Sequence, residues 1–235
     1  MQNDRIGGIA ALVAASTFVI GIVMFATVMS DYAAGDPDAA ESVAFLVDHQ
    51  VAFLTWNVVI YIVFGIALVP LTLALHARLS DLGRPIAATA TAFGLIWSGL
   101  VIATGMIANI GLGTVVDLHE AEPASAEPVW STLDAVQNGL GGGNEIIGGL
   151  WVILVTWIAL GAKRLPRSLC LLGLVSGLAG LVTVAPALEA VGAVFGVGLI
   201  VWFSWLGVFL LRETAADDPV PTDHQDRAGV AAEGM

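Results

Sequence analysis

Cysteine is nearly absent: Cys170 is the one thiol in 235 residues, so no intrachain disulfide braces the fold and no zinc-type cysteine pair exists. Also missing are a GxGxxG that follows a strand and opens a helix, and a GxxxxGK[ST] loop. Their absence removes the usual support for dinucleotide and nucleotide chemistry. Basic residues are few, eight Lys and Arg against twenty Asp and Glu for a formal net charge of −12, and no nucleic-acid partner is expected. Charge of either sign is scarce. Only 12% of residues are charged and 57% are apolar, where soluble domains carry about a quarter charged and about half apolar. The excess apolar surface needs a partner other than water, and the lipid bilayer supplies it.

What is present is a series of uncharged runs near or above the roughly 20 residues that cross a hydrocarbon core as a helix. They read as six transmembrane helices at about 6–30, 51–75, 85–112, 145–162, 168–185 and 187–211, an all-α integral membrane bundle. The first exceeds the roughly 7 to 15 apolar residues of a cleaved secretion signal and reads as a retained span. Pro70 removes one backbone hydrogen bond from the second and is expected to kink it. Pro85 opens the third, where the missing N–H would be unpaired anyway. Trp202 and Trp205 lie toward the inner end of the sixth, and such rings favour the membrane interface. Two outer connections are long enough for short interfacial helices. One opens at Asp36-Pro37 and runs through Val43, Leu46 and Val47; the other follows Pro128, with Val129, Trp130, Leu133 and Val136 at helical spacing. Residues 1–212 thus form the transmembrane domain, and 213–235, polar and rich in Ala, Asp and Pro, read as a disordered acidic cytoplasmic tail.

Alternating six spans puts Arg5, Arg78, Arg84, Lys163, Arg164, Arg167, Arg212 and Arg227, every basic residue, on one side. Cytoplasmic loops retain Lys and Arg, so that side is the inner one and both termini are cytoplasmic. Eight acidic residues share it, and the other twelve lie outside or at outer helix ends. The net negative charge is therefore external, which either attracts cations to the outer mouth or keeps the loops soluble.

Polar groups embedded in a membrane are functional candidates because they are costly there. Asn57, Tyr61, Gly65 and Thr72 share one face of the second span, and Thr91, Gly94, Ser98, Gly105 and Asn109 one face of the third. Glu145, Gly149 and Thr156 mark the fourth. At 1.5 Å per residue Asn57 sits about 10 Å below the outer boundary, and Asn109, Asn144, Glu145 and Glu189 are shallower. Converging helices would make an outward-opening pocket with Glu145 as its charged anchor and Asn144, Asn57, Asn109, Glu189 and Tyr61 as further ligand-binding candidates. The same faces also suit plain helix packing, as do Gly173, Gly177 and Gly180 with Gly192 and Gly196. His49 after Asp48, and His119 between Asp117 and Glu120, offer only weak metal candidates, without HExxH or other diagnostic spacing. No metal and no cofactor are expected.

The stretch Gly142-Gly-Asn-Glu-Ile-Ile-Gly-Gly-Leu-Trp151, the turn Leu165-Pro-Arg-Ser-Leu169 with Leu172-Gly173, and Phe195-Gly-Val-Gly198 with Trp202-Phe-Ser-Trp205 resemble prokaryotic multi-pass proteins of domain-of-unknown-function family 4386. The resemblance implies a six-helix protein of a prokaryotic cytoplasmic membrane, without an assigned activity or catalytic residues to carry over. The leading expectation is a non-enzymatic protein that binds or passes a small ligand or cation at the outer pocket. A structural or regulatory protein, whose polar and small faces pack helices, bind a partner helix or join copies of the chain, is the alternative. An intramembrane enzyme using Glu145 and Glu189 as an acid–base pair is the third.

Overall fold

The computed structural model describes residues 2–30, 38–82, 84–140 and 145–217, without the side chains of Leu82, Pro186, Glu189, Ala216 and Asp217. Every regular element among them is helical. Helix α1 spans Gln2–Met29, α2 Ala39–Asp48, α3 Gln50–Leu79, α4 Arg84–Ala121, α5 Pro123–Leu140, α6 Glu145–Ala162, α7 Arg167–Val182 and α8 Gly192–Asp217. Helices α1, α3, α4 and α8 and the α5–α6 stretch are long and apolar enough to cross a membrane. Helix α7, the expected fifth span, is apolar but has 16 residues, about 24 Å of helix against a hydrocarbon core of about 30 Å. The outer surface of the bundle is itself apolar: Ile66, Ile110, Trp157, Val175 and Val197 are all at least 59% exposed. This is the inverse of a soluble protein and marks a membrane bundle.

Neighbour contacts run α1–α3–α4–α6–α7–α8 and back to α1, so six helices close around one core. Leu68, Leu71, Trp97, Trp151, Trp202, Phe203 and Leu206 fill it, each at most 1% exposed. Lipid does not drive apolar helices together, and small residues that let backbones approach replace that force. A methyl group built on Gly149 would lie 2.6 Å from the Gly177 carbonyl oxygen, and one on Gly207 would lie 2.9 Å from that of Gly8. These contacts lock α6 to α7 and α1 to α8.

Helix α3 continues through Pro70, and its departure from α geometry is a π-helical segment over Val58–Val63, not at the proline. Helix α1 has a second such segment over Phe25–Met29. It starts four residues after Gly21, whose carbonyl accepts a hydrogen bond from Trp56 Nε1 at 3.1 Å. A side chain competing for a backbone acceptor in this way loosens the regular ladder.

Helix α4 has 38 residues, about 57 Å, so it continues well beyond one span. Helix α5 returns along that extension, burying Ala126 against Val43 of α2 and Val115 of α4, with Trp130 and Leu133 packed alongside. The apolar face expected to rest on the membrane thus packs on protein. Helix α5 starts at Pro123, ahead of the expected Pro128. Asp36 and Pro37 lie outside the described residues; α2 begins after Asp38, which caps the Glu41 N–H at 2.9 Å while Glu41 reaches back to the Asp38 N–H.

The opposite end of the bundle is tied by Arg78. Its Nη1 pairs with Asp4 at 3.3 Å, its Nη2 binds Glu213 and also donates to the Arg164 carbonyl at 3.1 Å, and its guanidinium lies 5.5 Å from the Phe209 ring centre. One side chain of α3 thereby holds α1, α8 and the α6–α7 turn. Helix α8 accordingly runs past Arg212 to Asp217, five residues into the expected tail, and residues 218–235 lie outside the description. The turn is a Schellman motif: the Arg164 N–H bonds the Ala159 carbonyl and the Lys163 N–H bonds that of Leu160. Lys163 takes the left-handed position at φ 55°.

Arg78→Ala is expected to destabilise the bundle by about 2 kcal/mol, and Arg78→Lys to recover less than half of this because an ammonium cannot fork to three acceptors. Lys163→Gly should stabilise by about 1 kcal/mol by relieving the left-handed strain. Reversible unfolding in mixed micelles measures both.

Candidate functional site

At the end of the bundle opposite Arg78, five helices leave a cavity of about 330 Å³. Its border is built from Phe18, Gly21, Ile22 and Phe25 of α1, from Trp56, Ile60, Tyr61 and Phe64 of α3, and from Trp97 and Val101 of α4. Glu145 of α6 and Gly192, Phe195 and Gly196 of α8 complete it. Both π segments reach this wall, one with Phe25 and the other with Ile60 and Tyr61. Such segments re-aim side chains and recur at functional sites. Helices α1 and α8 are in backbone contact at Gly8 and Gly207, whereas at Gly196, on the cavity border, an added methyl group would meet nothing within 4 Å.

Aromatic rings form the base. Phe18 meets Phe64 edge-on at 4.9 Å, Phe64 meets Trp97 at 5.3 Å, and Trp97 lies 5.7 Å from Trp151, itself 5.7 Å from Trp202. These spacings are those of favourable edge and tilted ring pairs. Among the described residues the indole N–H groups of Trp97, Trp151 and Trp202 and the hydroxyl of Thr72 have no hydrogen-bond partner. The rings are therefore held by shape, at a polar cost of about 1–3 kcal/mol each.

Among the described residues Glu145 is the one carboxylate on the border. It sits in the first turn of α6, and its Oε1 would be 3.4 Å from a methyl group on Gly192, the first residue of α8. The partial positive charge of the α6 N-terminus interacts favourably with a carboxylate in its first turn. Among the described residues both ion pairs belong to Arg78, and no Lys, Arg or His borders the cavity.

Of the residues singled out from the sequence, Glu145 and Tyr61 share this cavity. Asn57, 6% exposed, borders a second cavity of about 300 Å³ beneath α5, together with Asp134, Gln137 and Asn138. Trp56 and Tyr61 border both. Asn109 borders neither, and its Oδ1 is buried without a partner. Asn144 lies outside the described residues, as does the side chain of Glu189. His49 stacks on Phe45 at 4.1 Å and donates from Nδ1 to the Phe45 carbonyl at 3.1 Å. His119 is in the last turn of α4 and Asp48 is exposed; among the described residues no three metal-ligating side chains converge. Gly192 and Gly196 border the cavity and do not belong to the packing seam of Gly173, Gly177 and Gly180. Trp202 is fully buried and not an interface anchor. The aromatic base was missed from sequence, although Trp97 falls mid-span, away from the helix ends where tryptophan is enriched.

The model of a domain of unknown function, DUF4386, matches residues 6–213. The chain belongs to this family. No curated protein and no solved structure matches it. The match to DUF4386 covers all six helices of the ring and both cavities, and assigns them no activity.

One substitution should act in opposite senses at two glycines of this DUF4386 protein. Gly177→Leu, against the α6 backbone, is expected to destabilise by about 3 kcal/mol or more. Gly196→Leu enters open space and should leave stability unchanged or raise it by up to about 1 kcal/mol. Thermal unfolding in lipid ranks them, and equal losses would show that the cavity is closed.

Proposed function

We propose that this multi-pass membrane protein is a non-enzymatic receptor or conduit that takes a small ligand or cation into the cavity beside Glu145. The observation that carries the reading is a carboxylate, the one among the described residues, on the border of a cavity of about 330 Å³, within the roughly 300–1,000 Å³ of small-molecule sites. A carboxylate at an apolar border is costly unless something of opposite charge joins it. The second cavity strengthens the reading: it carries Asp134 and is separated from the first by the shared Trp56 and Tyr61. Two acidic chambers in series suit an incoming positive charge.

The proposal includes an orientation. With six spans, every basic residue falls on the Arg78 side, so that end and both termini face the cytoplasm, and the Glu145 end faces outward across the cell membrane.

Thiol labelling tests both parts. In a Cys170→Ser background, Gly196→Cys places one thiol at the cavity. A cationic trimethylammonium methanethiosulfonate added outside intact cells is expected to label it at least tenfold faster than an anionic sulfonate analogue, and Glu145→Gln should erase the preference. Ser168→Cys should react only from the cytoplasmic side. Equal rates for the two reagents, or no labelling of Gly196→Cys from outside, would overturn the reading.

A further inference from the structure

We propose that the ligand of the Glu145 cavity is a monovalent organic cation, a tertiary or quaternary ammonium on an apolar body; this rests on the reading of the cavity as a binding site. Half of its fourteen bordering residues are aromatic, in a chain that is 8% aromatic. Ring faces attract a cation within about 6 Å, most strongly where water is excluded. Trp56, Tyr61 and Trp97 border the cavity from α3 and α4, and Phe18, Phe25 and Phe195 from α1 and α8, so rings flank the space on several helices. Among the described residues Glu145 supplies the single counter-charge.

The same border argues against other classes. An anion would meet Glu145 and, among the described residues, no basic side chain. A calcium or magnesium ion needs about six oxygen ligands, whereas among the described residues only the Glu145 carboxylate and the Tyr61 hydroxyl bring side-chain oxygens to the border. A neutral apolar molecule would fill the cavity but leave the carboxylate desolvated and unpaired. One carboxylate balances one positive charge, and the apolar wall selects the body that carries it.

Calorimetry on the full chain in lipid nanodiscs, with empty nanodiscs as the blank, tests this using benzyltrimethylammonium and its uncharged isostere neopentylbenzene. The expected result is saturable one-site binding of the ammonium, at least tenfold weaker with Glu145→Gln and abolished by Gly196→Leu. Neopentylbenzene should bind at least tenfold more weakly than the ammonium. Thermal unfolding of each variant shows that it is folded. Equal binding of the two probes, or binding indifferent to Glu145→Gln, overturns the organic-cation assignment while leaving the cavity a binding site. Calcium binding that needs Glu145, without ammonium binding, does the same. Absence of any saturable binding overturns the assignment too; charge-selective labelling of Gly196→Cys then tells whether the site reading stands without it.

Discussion

The approach of α1 to α8 at Gly8 and Gly207 is close enough that a methyl group on either glycine would lie within 3.0 Å of the other's carbonyl oxygen. Much else follows from it. Lipid offers apolar helices no reason to associate, so the bundle is held where backbones touch and where Arg78 draws Asp4, Glu213 and the Arg164 carbonyl together. For α1 and α8 both devices act at the same end, whereas α6 and α7 are in backbone contact at the other, where a methyl group on Gly180 would lie 2.6 Å from the Glu145 carbonyl oxygen. Helices α1 and α8 are not pinned again at Gly196, and bulky rings occupy the space between them. A tight end and an open end are thus two consequences of one distribution of residue sizes.

Keeping the open end from collapsing is the task of the aromatic cluster. Rigid rings in edge and tilted contact resist closure better than flexible aliphatic chains, and the chain accepts three indole N–H groups without partners to have them there. A core optimised for stability alone would not carry that penalty, and sites of function are where such local rules are broken. The π segments at Phe25–Met29 and Val58–Val63 have the same character. Each departs from the ordinary helix on the stretch of chain that borders the cavity.

The fold was legible because its causes are one-dimensional. Uncharged runs marked the apolar helices, and helix α6 covers Glu145–Ala162, the bounds of the uncharged run. Helix ends were less legible where tertiary partners intervene: α4 extends to Ala121 because α5 and α2 cover it, and α8 extends to Asp217, past the pairing of Glu213 with Arg78. The site was legible in part. Glu145 is conspicuous as a carboxylate opening an apolar helix, and Tyr61 lies on a polar face with Asn57. Which cavity each side chain borders depends on π geometry that displaces the face, and no spacing rule for a regular helix contains it. The glycines were hardest, since Gly177 and Gly196 look alike in sequence and differ in whether a neighbouring backbone lies opposite.

The central claim is that the bundle is closed at Arg78 and open at Glu145, and an experimental structure of the full chain in a lipid bilayer tests it most directly. The account expects Gly8 and Gly207 in backbone contact and, at the other end, a space between Phe25, Trp97 and Phe195 that holds either ordered density beside Glu145 or room for it. Rings of α1 and α8 collapsed onto one another, with the Glu145 carboxylate turned to bulk water, would contradict it.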